Sequence, residues 1–245
     1  MIFSKKERNI TALLAAVSVL FAWQAQAGAM HIMEGYLQPS WVVVWSVLCI
    51  PFIAAGFFSI KRNISGSHKK LVLFALCGAF AFVLSALKIP SVSGSCSHPT
   101  GVGLSAILFG PFATSVIGLI ILVFQALLLG HGGITTLGAN TFSMAIAGPL
   151  VSFGIYKLCK KMKINLSVAV FLAAFLGDLI TYITTSFQMG MAHPGTSLME
   201  SVIKFLGIFA VTQLPLAVVE GILTVVIFGV IKKYRKPELE ELRVL

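Results

Sequence analysis

Met30-His31-Ile32-Met33-Glu34-Gly35-Tyr36-Leu37 is the stretch whose residue types could do chemistry most directly. If the chain is cut between Ala29 and Met30, a free amine is followed at once by a histidine. The Met30 amine, the His31 backbone nitrogen and a His31 ring nitrogen are then linked by fused chelate rings. They can fill three corners of a planar site, and a second imidazole can complete it. Such nitrogen-rich planar geometry suits Ni(II) or Cu(II), and low-spin Co(II) is compatible with it. His98 is the best fourth donor, within Ser93-Gly94-Ser95-Cys96-Ser97-His98-Pro99-Thr100-Gly101. Small residues there let the backbone approach closely, and Pro99 fixes the chain after the ligand. Cys96 and Ser97 in the same loop, His131 in Gly130-His131-Gly132-Gly133, and Asn140 are candidates for supporting the metal or guiding it inward.

The elements that must position these residues are membrane helices. Hydrophobic residues make up 58% of the chain and charged residues only 11%, against about 25% charged in soluble domains. The fold class is all-α, a polytopic helical bundle. The net charge of +10 sits in clusters between apolar runs, as in cytoplasmic loops, and no basic stripe interleaved with aromatics suggests nucleic acid. None of the four cysteines forms a CxxC pair. Cys49 and Cys77 fall inside apolar runs and read as small buried hydrophobes.

Residues 1–29 read as a secretory signal: Lys5, Lys6 and Arg8 precede a short apolar core. Ala25-Gln26-Ala27 would leave Gly28 first, whereas Ala27-Gly28-Ala29 would leave Met30 first. An uncleaved anchor is the third possibility. The remainder, 30–245, reads as one membrane domain with a metal-binding segment at 30–38. Apolar runs cover residues 41–60, 71–87, 138–156, 166–187 and 205–231, with a neutral loop around 188–200. The loops at 61–70 and 157–163 are both basic, so both belong in the cytoplasm. Residues 101–130 must therefore cross an even number of times, with Gly110-Pro111 as the break. Two passes of about 14 residues rise about 21 Å each, short of a ~30 Å hydrocarbon core. At least one must be short and shielded by protein, and such backbone normally lines a cavity. The expectation is about seven membrane segments in the cytoplasmic (inner) membrane, with the mature N-terminus outside and the C-terminus in the cytoplasm.

This topology puts His31, His98, His131 and His193 on the outer side and His68 in the cytoplasm. His193 reads as solvated. Asp178 shares a helical face with Thr181, Tyr182 and Thr185, and Glu220 shares one with Gln213 and Thr224. Acids within spans face the bundle interior and are functional by default. Their alternatives are an interhelical hydrogen bond, a partner contact or metal ligation. The chain contains no GxxxxGK[ST], HExxH, GxSxG or Rossmann fingerprint.

Several long motifs, in order, resemble the CbiM family. They are the 30–37 stretch, Pro90 to Gly103, Phe124-Gln125-Ala126-Leu127-Leu128-Leu129-Gly130-His131-Gly132-Gly133, Thr135 to Met144, and Val211-Thr212-Gln213-Leu214-Pro215-Leu216-Ala217 leading to Glu220-Gly221. The resemblance covers residues 30–232. It implies the substrate-capture component of an energy-coupling factor (ECF) cobalt transporter, related to the nickel-specific NikM proteins. It implies a seven-helix subunit whose N-terminus folds into the bundle, with ligands at Met30 (amine), His31 (backbone and ring nitrogens) and His98. It implies a CbiN-like small membrane subunit, a CbiQ-like coupling subunit and a CbiO-like ATPase, and cobalt(II) destined for cobalamin. His193, in Met191-Ala192-His193-Pro194, departs from the apolar residue expected there. Nickel(II) is the alternative cargo. A membrane metalloenzyme would need an open coordination position and a general base, which a planar four-nitrogen site lacks.

Overall fold

The computed structural model describes residues 28–29, 31–90 and 95–244. Residues 1–27 of the signal expected at 1–29, and the Met30 amine, lie outside the described residues. Six helices are long and apolar enough to cross a membrane: α1 (Pro39–Asn63), α2 (His68–Ala86), α4 (Pro111–Leu129), α5 (Leu137–Lys161), α6 (Leu166–Ala192) and α7 (Leu198–Tyr234). Between α2 and α4 lies α3 (Val102–Phe109). A terminal helix, α8 (Lys236–Glu241), folds back on the end of the bundle where α5 stops.

The chain breaks where residues 101–130 were expected to break. Gly110 separates α3 from α4, and Pro111 opens α4 at a position where its missing N–H costs nothing. All eight residues of α3 are buried. It rises only about 12 Å, so it cannot span lipid, and its backbone polar groups are shielded by α2, α4, α5 and α6 instead. The protein is thus an all-α polytopic bundle of six spanning-length helices wrapped around one short buried helix.

The helices run further than the apolar runs. The neutral loop expected at 188–200 shrinks, because α6 continues to Ala192 and α7 begins at Leu198. A helix keeps its hydrogen bonds beyond the apolar layer, so hydropathy marks the lipid-matched part and not the helix ends. Ser197 caps α7 by accepting from the Glu200 N–H at 3.1 Å. Lys61 and Arg62 close α1, Lys160 and Lys161 close α5, and Lys232 and Lys233 close α7. Each pair complements the negative end of its helix.

Two departures from regular helix bear on the site. Residues Thr141–Ala147 of α5 are wound as a π-helix directly after Asn140, a form found mostly at functional positions. Opposite, three short strands form a ribbon in the order β1 (Gly28–Ala29), β3 (Ser95–Ser97), β2 (Ile89–Pro90). β1 runs parallel to β3 with Ala29 facing Cys96. Ala29 therefore lies beside the strand that leads into His98.

Candidate metal centre

The segment after Met30 is held by backbone-mimicking side chains. Asn140 accepts from the Ile32 N–H at 2.8 Å and donates to the Ile32 carbonyl at 3.0 Å. Thr136 donates to the same carbonyl at 2.6 Å. One asparagine thus satisfies both polar groups of Ile32 and fixes its neighbour His31. Asn140 is a clamp on the chain, with its carbonyl oxygen already occupied. Gly133 allows the close approach, because a Cβ there would lie 2.6 Å from the Glu34 Cα. Glu34 itself accepts from the Thr135 N–H at 3.2 Å. Hydrogen bonding from Thr135 holds its carboxyl below the usual range. His193 is exposed, and its Nε2 donates to the Tyr36 carbonyl at 2.8 Å. It is a strut on the same segment as well as a solvated ring.

Three histidines from distant parts of the chain meet at this point. The rings of His31, His98 and His131 have centroids 4.6, 4.7 and 4.8 Å apart pairwise. Each offers a nitrogen within 4.8 Å of the other two, and all are buried. Metal–nitrogen bonds of about 2.0–2.1 Å put two ligands of one ion at most about 4.2 Å apart, so a closure of about 1 Å or less would bring the nitrogens onto one ion.

Hydrogen bonds decide which nitrogen of His31 and His98 is free. The His98 Nδ1 lies 2.9 Å from the Pro99 carbonyl. A carbonyl only accepts, so Nδ1 carries the proton and Nε2 keeps its lone pair. That Nε2 is buried without a partner, as is Nε2 of His131. For His31 the assignment runs through a relay. The Ser85 hydroxyl donates to the Ala81 carbonyl at 2.6 Å. Its oxygen accordingly accepts the Gln125 amide nitrogen at 2.5 Å, which turns the Gln125 carbonyl oxygen towards His31 Nε2 at 3.1 Å. His31 Nε2 is therefore protonated and Nδ1 carries the lone pair. Only Nδ1 can close a six-membered chelate ring with the His31 backbone nitrogen. Gln125 also accepts the His131 backbone N–H through its own carbonyl at 3.1 Å, so one residue at the end of α4 seats two of the three rings.

Burial keeps the rings neutral. His31 is pushed well below the ordinary imidazole value by burial and then by repulsion from His98. His98 is lowered to about 4, mainly by burial. His131 is lowered strongly by burial and then by His31 and His98. At neutral pH an arriving cation displaces no proton from them.

The intramembrane acids are not among these donors. Glu220 accepts the Thr100 backbone N–H and, at 3.0 Å, the Thr100 hydroxyl. Gln213 donates to Asp178 at 2.6 Å and to the His98 carbonyl at 3.3 Å. Asp178, Thr181, Tyr182 and Thr185 are all buried along α6, and Gln213, Glu220 and Thr224 along α7, as their spacing predicted. Of the alternatives read from sequence, the interhelical hydrogen bond is the one seen, and it anchors the His98 loop from below. Gly101 completes that anchor at φ +69°, where a Cβ would lie 2.6 Å from the Ala81 Cα.

Ser97 is buried and bonds the Thr212 hydroxyl at 2.7 Å, so its hydroxyl ties the loop to α7. The Cys96 side chain, like Met30, lies outside the described residues. Sequence reasoning missed Gln125 and Ser85. Both sit in apolar runs, and a lone glutamine in Phe124-Gln125-Ala126 is the signal that could have marked one of them.

Comparison with known proteins agrees with this geometry. A family model described as CbiM, cobalt uptake substrate-specific transmembrane region, matches residues 31–238. A protein named cobalt transport protein CbiM from Ruminiclostridium cellulolyticum is 62% identical over 235 residues, covering 95% of each chain. Its namesake from Lachnoclostridium phytofermentans is 58% identical over 241 residues, covering 98% of this chain and 96% of that one. Two crystal structures share the fold. One, described as a truncated transition metal transporter, has a TM-score of 0.73 at 27% identity and covers 83% of this chain and 99% of its own. The other, described as a transition metal transporter, has a TM-score of 0.73 at 28% identity and covers 83% and 92%. With the match spanning the three histidines and every spanning-length helix, this chain belongs to the CbiM family of cobalt uptake substrate-specific transmembrane regions.

Proposed function

We propose that this chain is the metal-capturing subunit of an ATP-driven energy-coupling factor importer, taking up Co(II) for cobalamin synthesis. The observation that carries this reading is the buried trio of His31, His98 and His131, each with a ring nitrogen within 4.8 Å of the others and with Nε2 of His98 and His131 unpartnered. Cleavage after Ala29 removes residues 1–29 and leaves a single membrane domain, 30–245. The Met30 amine then joins the His31 backbone nitrogen and Nδ1 in the fused chelate, and His98 Nε2 closes the plane. Segment 30–38 is the arm that carries the chelate into the bundle. Cargo is captured outside the cytoplasmic membrane. The bundle then opens toward a CbiQ-like coupling subunit, assisted by a CbiN-like small subunit, while a CbiO-like ATPase supplies the energy that no motif in this chain could supply. The chain itself is no enzyme.

Nickel(II) is the second reading, favoured by the all-nitrogen donor set, which suits planar Ni(II) as well as cobalt. Metal-uptake assays test the site. His31→Ala and His98→Ala each abolish cobalt accumulation, and one residue added before Met30 weakens it. Amino-terminal sequencing of the membrane-inserted chain should begin at Met30. A start at Gly28, or unchanged uptake in both histidine variants, would sink the site as drawn.

A further inference from the structure

Four nitrogens complete a plane, yet the pocket holds one imidazole more than the plane needs. His131 is as close to His31 and to His98 as those two are to each other, with centroid distances of 4.7 and 4.8 Å against 4.6 Å. Its Nε2 is buried and makes no hydrogen bond. A ring that merely supported a ligand would bond that ligand, as Gln125 does His31. A ring that guided cations inward would gain from exposure, but His131 is 2% exposed. Its position is fixed at the end of α4, where Gly130 adopts φ +54° and the His131 N–H bonds the Gln125 carbonyl at 3.1 Å. Leaving an imidazole lone pair buried and unpaired is costly unless something binds it.

We infer that His131 Nε2 is a fifth metal ligand, apical to the four-nitrogen plane, and that it biases the site toward cobalt over nickel. The inference rests on the planar site proposed above. Its logic is electronic. Planar Ni(II) is low-spin with eight d electrons, and a filled orbital points along the apex and repels a donor there. Low-spin Co(II) has seven d electrons and only one in that orbital, so it gains from a single apical nitrogen. An apical imidazole therefore adds affinity for cobalt and almost none for nickel, which the ligand types alone could not separate.

Electron paramagnetic resonance of the mature full-length protein loaded anaerobically with Co(II) reads the apex directly. The unpaired electron lies along it, so one apical nitrogen splits each cobalt line into a triplet. The expected result is low-spin cobalt with triplets in the wild type, loss of the triplets in His131→Gly, and their return when free imidazole is added. Co(II) affinity should fall about tenfold or more in His131→Gly, while Ni(II) affinity changes less than about threefold. His131→Asn serves if the glycine variant fails to fold. High-spin cobalt, absent triplets in the wild type, triplets that survive removal of His131, or equal losses for the two metals would each overturn the inference. His31→Ala and His98→Ala are run alongside. If both still bind Co(II) like the wild type, the planar site fails instead of the apical assignment.

Discussion

Two polar clusters are buried in this apolar bundle, and they are built in opposite ways. Around His31, His98 and His131 the hydrogen bonds are spent on one ring nitrogen each of His31 and His98, and Nε2 of His98 and of His131 is left bare. Around Asp178 and Glu220 side chains bond between segments, Thr100 to Glu220, Gln213 to Asp178 and to the His98 carbonyl, with one oxygen each of Asp178 and Gln213 left over. Unsatisfied buried groups are rare, and each needs an explanation. In the first cluster the bare atoms are ring nitrogens close enough to share one ion, whereas in the second Asp178 and Gln213 each keep one bare oxygen but are bonded across the helices through their other polar atom. The two clusters meet in three consecutive residues: His98 points to one, while its carbonyl and Thr100 are tied to the other.

The contrast can be broken by substitution. The largest effect should come from exchanging the two roles. His98→Ala should remove measurable Co(II) binding by isothermal titration calorimetry at a modest cost in thermal stability. Glu220→Ala should do the reverse in order of severity. It strands the buried Thr100 N–H and hydroxyl, at about 1–3 kcal/mol for each unsatisfied group, and should lower the unfolding temperature of the metal-free protein more than His98→Ala does. If Glu220→Ala were as stable as the wild type, the acid pair would not be the anchor of the His98 loop.

Next in size are the residues that aim the chelate. Asn140→Ala frees the Ile32 N–H and leaves its carbonyl to Thr136 alone, and should weaken Co(II) binding about 10–100-fold. Gln125→Leu removes the acceptor that keeps the His31 proton on Nε2. Its effect on affinity should be of the same order, and nitrogen NMR of the metal-free protein should show His31 losing its single tautomer. A retained Nε2–H tautomer in Gln125→Leu would show that the relay through Ser85 does not set it.

A smaller effect comes from pH. The buried rings titrate below the ordinary imidazole value, His98 at about 4. As pH falls below that ordinary value of about 6.5, the unfolded chain takes up protons that the folded site refuses. The metal-free protein should therefore hold its full stability above pH ~6.5 and lose it progressively down to about pH 4. Amide hydrogen exchange in residues 97–101 should speed up over that window, and a flat profile would contradict the buried neutral rings. Smallest of all, Cys77→Ala removes a buried thiol within α2, remote from both clusters, and should leave cobalt affinity unchanged.

Much of this was legible in the residues. The apolar runs gave the spans because hydropathy along a helix matches lipid locally. Loop parity and the Gly110-Pro111 pair required a short shielded segment, and α3 is that segment. The chelate at Met30-His31 needs only neighbours in the chain, and the faces carrying Asp178 and Glu220 follow from helical spacing. Helix ends were less legible. α7 starts at Leu198, ahead of the apolar run, because Ser197 caps it and backbone hydrogen bonding continues past the lipid edge.

What sequence could not supply was partnership across the bundle. Gln125 looks like an intruder in an apolar helix until Ser85 and His31 are found on either side of it. Asn140 looks like a candidate ligand until both ends of its amide are seen spent on Ile32. The chain by itself determined that the protein crosses a membrane, that a free amine at Met30 could chelate a metal with His31, and that acids lie within its spans. Which ring nitrogen is bare, which polar groups are already satisfied, and that His131 stands as close as His98 were decided only by folding. A hydrogen bond between residues 94 positions apart is a fact of three-dimensional packing, and no local pattern encodes it.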